Sequence, residues 1–350
     1  MANITKKAFD TLPDGRTVSA FTLEDNGSFV TILDFGGIIQ SIVVPDRNGK
    51  MTDVILGYDD MAGYLNNSGY LGALIGRFGN RIDKGSLVID GVQYALYQNN
   101  GVNHLHGGKV GFDKKIWASE IKDGKLVLSI LSPDGEENYP GNLTVQVVYS
   151  FEKGKLGIEY YAVSDKKTAI NLTNHAYFNM SGAGNGDILT HELYIDAPFV
   201  IPTDETLIPR GEFRAVKGTP FDFTTPTVLK TGDDNRANDP DLKNGNGYDH
   251  CFLFAKGRDT NKPYATLYSP VTGIEMACYT DMPAVQLYAG NGLNQDGKAG
   301  KHYARCGALC LETEAIPNNV NVPAYAEYGS SIYEAGQEYR FFASYEFSAK

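Results

Sequence analysis

Ile170-Asn171-Leu172-Thr173-Asn174-His175-Ala176-Tyr177-Phe178-Asn179-Met180 alternates in character from one residue to the next. Its even positions are apolar except for Asn174, while its odd positions carry Asn171, Thr173, His175, Tyr177 and Asn179. A period of two predicts a β-strand with one polar face. A solvated strand turns Lys, Glu or Thr outward, whereas this face offers amides, a phenol and an imidazole, groups that both donate and accept hydrogen bonds. The segment therefore predicts a wall for a ligand built of hydroxyls. Because His175 shares the face with Asn171, Thr173 and Tyr177, it is expected to act as a general acid rather than as a satisfied core histidine. An ordinary imidazole exchanges its proton near pH ~6.5.

The surrounding sequence has the same texture. Runs at 29–44, 86–97, 125–131, 143–151 and 156–163 read as short strands. Asn26-Gly27, Asn48-Gly49, Asp90-Gly91, Asp123-Gly124 and Asp134-Gly135 punctuate the chain as hairpin turns. Helical periodicity is confined to a turn or so around 59–66. This excludes the alternating strands and helices of a nucleotide-binding α/β fold, and the isolated Gly72-x-x-x-Gly76 is not a phosphate loop. No linker or internal repeat divides the chain, so residues 1–350 are expected to form a single β-rich domain. The polar tract 231–247 reads as a long loop that leads into Tyr248-Asp249-His250, either a lid beside a site or plain surface.

A net charge of −11 argues against a nucleic-acid partner. The four cysteines, Cys251, Cys278, Cys306 and Cys310, lack paired zinc spacing and read as buried free thiols, consistent with a reducing cytoplasm. Residues 1–10 contain basic side chains with no apolar run behind them, so neither a signal peptide nor a membrane anchor is expected.

Titratable groups recur in two further segments. In Leu309-Cys310-Leu311-Glu312-Thr313-Glu314 the leucines face one way and Cys310, Glu312 and Glu314 the other; partial desolvation would raise a carboxyl here into the range of a working base. Parity alone leaves Glu312 and Glu314 as equal candidates. His104 and His106, two apart on an expected strand, should project to one face as a metal site would require, but the next acid, Asp113, lies beyond Gly107-Gly108, which disfavours metal. Asp249 and Arg81 suit charge-assisted bonds to sugar hydroxyls, and Gln286 with Tyr288 repeats the amide-plus-phenol pattern.

These motifs bear a resemblance to one family in order along nearly the whole chain. Gly76-Arg77-Phe78-Gly79-Asn80-Arg81-Ile82, His104-Leu105-His106-Gly107-Gly108 with Gly111-Phe112-Asp113-Lys114, and the block 132–142 (SPDGEENYPGN) come first. The blocks 171–179 (NLTNHAYFN), 202–209 (PTDETLIP), 247–250 (GYDH) and 311–314 (LETE) follow. Together they resemble the aldose 1-epimerase (galactose mutarotase) family. The resemblance implies a large all-β antiparallel sandwich with an open sugar cleft, and interconversion of the α and β anomers of a free hexose with neither cofactor nor metal. By motif, the base falls on Glu312 and the acid on His175, while His106, Asn80, Arg81, Asp249 and Gln286 fall on sugar-binding positions. His104 receives no role. The expected partner is a small monosaccharide, with no nucleic acid and no membrane, and no motif speaks to oligomeric state. The rivals are a hexose-6-phosphate epimerase, a glycoside hydrolase using Asp249 and Glu312, and a sugar-binding module without chemistry.

Overall fold

The structure, a computed structural model, describes residues 2–66 and 69–350. Strand Leu143–Glu152 illustrates how the sequence builds it: Leu143, Val145, Val147, Tyr149 and Phe151 are buried while Thr144, Gln146 and Glu152 are exposed. This is the alternation of an antiparallel sheet with one face on a core. The strand lies within a nine-stranded sheet in the order Ala118–Lys122, Lys125–Ser132, Leu143–Glu152, Lys155–Ser164, Tyr339–Ala349, Ile274–Thr280, Ala265–Tyr268, Glu192–Ile195, Thr227–Val228. A five-stranded sheet formed by Asn3–Thr11, Thr17–Asp25, Ser28–Leu33, Ile39–Pro45 and Met51–Asp53 packs against it. One continuous core takes Phe21, Ile32 and Ile42 from the smaller sheet and Val147, Ile158 and Phe341 from the larger. The all-β sandwich expected from the sequence is present.

A second five-stranded sheet positions the site: Arg214–Ala215, Phe199–Ile201, Asp249–Leu253, Ala284–Tyr288 and Cys310–Glu314, in that order. Its inner apolar residues, Val200, Phe252, Val285, Leu287 and Leu311, join the same core. Asn26-Gly27, Asp90-Gly91 and Asp123-Gly124 all have both residues at positive φ, as a two-residue hairpin turn requires. Among the described residues no helix is long and apolar enough to cross a membrane, and the four cysteines are free and buried.

Three expectations need correction. The 170–180 segment is extended, but its regular ladder is limited to Thr173–Asn174 paired with Leu74–Ile75; elsewhere it is held by single bridges, Phe78 to Asn171 and Phe178 to both Ile55 and Leu309. Its period of two therefore does not separate core from solvent, and both sides are buried. The tract 231–247 is not one long loop. It contains helices Lys230–Asn235 and Pro240–Asn244, the second capped by Asp239, whose side chain accepts from the Asp241 and Leu242 N–H groups, with Pro240 at the first helical position. Arg214 ties Asp239 and Asp241 to the neighbouring sheet. Finally, His104 and His106 do not share a face, as detailed below.

Arg77 shows how the 76–82 motif is anchored. It is buried, donating through Nε to Ser132 Oγ (2.8 Å), through Nη1 to the Pro140 carbonyl (3.0 Å), and through Nη2 to the carbonyls of Ser132 (2.7 Å) and Pro133 (2.8 Å). Burial pushes its guanidinium pKa down to about 10, against the opposing pull of Glu136. Arg77→Met preserves bulk while withdrawing all these donors. It should cost ~3 kcal/mol of stability, seen as a lower guanidinium midpoint at unchanged slope.

Candidate active site

Register sets the site. In the sheet described above, Asp249 pairs with Tyr288 and Tyr288 with Cys310, while Gln286 pairs with both Cys251 and Glu312. Asp249, Tyr288 and Glu312 are thereby brought to the wall of a cleft of about 270 Å³. The opposite wall comes from the 76–82 and 104–108 segments with Asn80, Arg81 and His106, and the 170–180 segment adds His175 and Tyr177.

Glu312 is 2% exposed. Its Oε1 lies 3.6 Å from His175 Nε2, and its Oε2 has no hydrogen-bond partner among the described residues. Burial raises its carboxyl pKa well above the usual range; the charges of Glu314 and Asp249 act in the same direction and Arg81 opposes them. Burial pushes His175 down to about 4, reinforced by Arg81 and opposed by the residue's own backbone carbonyl. The rings of Tyr177 and Tyr70 stack against this imidazole at centroid distances of 4.9 and 5.8 Å. Its Nδ1 lies 3.3 Å from Cys310 Sγ. The imidazole is thus fixed by flat packing and a thiol, with no carboxylate on Nδ1 among the described residues.

His106 adopts a left-handed backbone (φ 51°), and Gly107 follows at φ 86° with the Gly76 carbonyl so close that a Cβ would meet it at 1.8 Å. This bend sends the two histidines apart and overturns the same-face expectation, which assumes an uninterrupted strand. His104 is buried between the Tyr97 carbonyl (2.7 Å) and the Tyr139 hydroxyl (2.6 Å), whereas His106 faces the cleft. The Asn80 N–H donates to His106 Nδ1 at 3.0 Å, so the proton of the neutral ring sits on Nε2. Burial and the nearby His175 and Arg81 hold His106 well below its usual pKa. It is a fixed donor.

Arg81 spans the cleft edge, with Nη2 3.7 Å from Asp249 Oδ2 and Nε donating to Asn100 Oδ1 at 3.1 Å. Gln286 does not line the cleft; its Nε2 donates to Asp249 Oδ1 at 2.7 Å and orients that carboxylate. Asn80 does line it, but its amide is engaged, donating to Glu314 Oε1 at 3.0 Å while Oδ1 accepts from the Arg81 backbone at 2.8 Å. Of the polar face read in 170–180, His175 and Tyr177 reach the cleft. Asn171 instead accepts from the Ala315 N–H and donates to the Gly79 carbonyl. No residue of 231–247 lines the cleft. Tyr70, Gln295 and Cys310 were not identified as contributors from sequence. Tyr70 and Gln295 carry no local pattern, and Cys310 reads as an ordinary buried thiol.

Ligand atoms of His106, His175 and Glu312 lie within 4.8 Å of one another, a donor set of the kind that grips divalent ions. The His106 tautomer works against this use, because the nitrogen facing the cleft carries a proton instead of a free lone pair.

The sequence matches the aldose 1-epimerase pattern over residues 19–346. The chain belongs to the aldose 1-epimerase family. It is 39% identical to bovine (Bos taurus) and to human (Homo sapiens) galactose mutarotase, each over 99% of both chains. It is 35% identical to the aldose 1-epimerase of Escherichia coli over 97% of both. Among solved structures, an aldose epimerase homologue from C. elegans superposes with a TM-score of 0.85 at 27% identity, covering 100% of this chain and 99% of that one. Galactose 1-epimerase from Lactobacillus acidophilus gives the same score at 26% identity and the same coverage.

In this epimerase, nitrogen-15 NMR of the imidazoles should find His106 as the Nε2–H tautomer, with no titration between about pH 5 and 8. A His106 resonance titrating near pH ~6.5 would contradict the Asn80 contact.

Proposed function

We propose that this aldose 1-epimerase acts on free hexoses such as D-galactose and D-glucose, with Glu312 as base and His175 as acid. The observation that carries the reading is the buried pair itself: Glu312 Oε1 3.6 Å from His175 Nε2, with Glu312 Oε2 at the cleft wall and unbonded among the described residues. Opening a cyclic hemiacetal requires a proton to leave the anomeric hydroxyl and another to reach the ring oxygen. Glu312 takes the first and the imidazolium of His175 supplies the second. Rotation about C1–C2 presents the other face of the aldehyde, and both transfers then reverse, restoring the starting enzyme.

Burial suits this reversal, because desolvation penalises the charged form of each partner. It raises the carboxyl and lowers the imidazole, which makes the carboxylate a stronger base and the imidazolium a stronger acid than either is in water. His106 Nε2–H, Arg81 and Asp249 provide donors and an acceptor for sugar hydroxyls, with Gln286 and Asn80 holding Asp249 and Arg81 in position. Tyr70, Tyr177 and Tyr288 furnish flat apolar surface.

A phosphorylated hexose is less well served. The sole cation among the described cleft-lining residues is Arg81, which already faces Asp249, and two carboxylates share that lining. A glycoside hydrolase would leave His175 without a task. Four buried free thiols support residence in a reducing cytoplasm.

Polarimetry of freshly dissolved α-D-galactose tests the assignment. The wild type should speed the approach to equilibrium rotation, and Glu312→Gln and His175→Asn should each lower kcat by ~10²-fold or more while calorimetry still detects sugar binding. Near-wild-type rates in either variant would refute the assigned roles.

A further inference from the structure

Glu312 and Glu314 are two residues apart on Cys310–Glu314, so their side chains leave the same face, and both are buried. Glu314 does not line the cleft. Its Oε1 accepts from Asn80 Nδ2 at 3.0 Å and its Oε2 from Asn171 Nδ2 at 3.4 Å. Asn171 is itself held by the Ala315 N–H at 3.0 Å. Gly79 permits the approach: a Cβ there would stand 3.1 Å from Glu314 Oε2. A carboxyl so enclosed cannot reach a sugar hydroxyl, yet a buried carboxyl beside the base demands a reason.

We propose that Glu314 is a positioning residue, whose negative charge strengthens Glu312 as the base and whose Oε1 holds Asn80, and through it His106, in the working arrangement. The proposal rests on the assignment of Glu312 as base. The ionisable groups facing Glu312 among the described residues are Glu314 and Cys310 from its own strand, Asp249 from Asp249–Leu253, Arg81 and the neutral His106 from the opposite wall, His175 and Tyr177 from the 170–180 segment, and Tyr345 beneath it. Burial keeps the Cys310 thiol and both phenols neutral. The Asp249 charge is offset by Arg81 at 3.7 Å. Glu314 has two amides as hydrogen-bond partners and no direct ion pair among the described residues, with Arg81 offsetting its charge only in part, and a like charge in a dry site raises the proton affinity of its neighbour. Asn80 carries the second effect: its Nδ2 is bound by Glu314 while its N–H fixes the His106 tautomer.

Glu314→Gln separates the two effects, because the amide oxygen still accepts from Asn80 while the charge is removed. On D-galactose, the acid limb of kcat/KM should move down by about 1 pH unit or more, with kcat lowered several-fold and KM near wild type. Glu314→Leu removes the acceptor as well and should also raise KM. A readout independent of turnover is carbon-13 NMR of carboxyl-labelled glutamate, in which the resonance missing from Glu312→Gln identifies Glu312. That resonance should titrate lower in Glu314→Gln by the same interval.

Stability supplies the folding control. Burial raises the Glu314 pKa from 4.5 to about 8 in the folded protein, so its contribution is complete below the unfolded value and is lost as pH rises through the folded one. Glu314→Gln should therefore gain on the wild type from about pH 5 to about pH 9. A folded, active Glu314→Gln whose acid limb and Glu312 titration both match wild type would overturn the proposal. Retained turnover in Glu312→Gln would instead overturn the base assignment, and the NMR titration would still report whether the two carboxyls interact.

Discussion

Everything at this site depends on the antiparallel register among Asp249–Leu253, Ala284–Tyr288 and Cys310–Glu314. Side chains alternate across a strand, so a slip of one residue in the last strand would turn Leu311 toward the cleft and drive Glu312 and Glu314 into the apolar core. Leu311 on the core side opposes that slip, since it would leave the hydrophobic cluster it shares with Leu287 and Phe252. The same residues that close the sandwich thus determine which carboxyls meet the ligand. Folding and the placement of the cleft carboxyls share a single register.

The second constraint is dryness. Glu312, Glu314, His106 and His175 are almost wholly buried, a costly arrangement for ionisable groups unless they are hydrogen-bonded or neutral. The protein meets that cost unevenly. Glu314 is satisfied by two amides and His106 by a backbone N–H, whereas Glu312 keeps one oxygen without a partner among the described residues and His175 faces a weakly bonding thiol. The satisfied groups lie behind the cleft wall or are held by backbone, and the incompletely satisfied ones are the pair proposed to react. Stacking of Tyr70 and Tyr177 on His175 restrains the imidazole without fixing the location of its proton.

Much of the fold was legible locally. Alternation in Leu143–Glu152 and the paired positive-φ turns at Asn26-Gly27, Asp90-Gly91 and Asp123-Gly124 are short-range effects, and they led to the right architecture. Where reading failed, the cause was non-local. The 170–180 segment was read as a strand with a polar wall, yet Asn171 is consumed by Ala315 and Gly79, partners far away in the chain. His104 and His106 were expected side by side because a period of two assumes regular backbone, which the left-handed residues at 106 and 107 interrupt. The capped helix Pro240–Asn244 was read as loop, although Asp239 followed by Pro240 is an N-terminal signal visible in the sequence.

By itself the sequence determined a β-rich chain punctuated by hairpin turns, its family by motifs in order, and a net negative charge, because alternation, turn chemistry and net charge are properties of neighbours and sums. Only the tertiary structure gives Glu312 and Glu314 different surroundings. Parity gives both the same face, while the distance from His175 and the capture of Glu314 by Asn80 and Asn171 depend on segments more than a hundred residues away. Proton affinity behaves likewise: a carboxyl becomes a base for neutral water by virtue of what surrounds it, and its surroundings exist only once the sheets have closed.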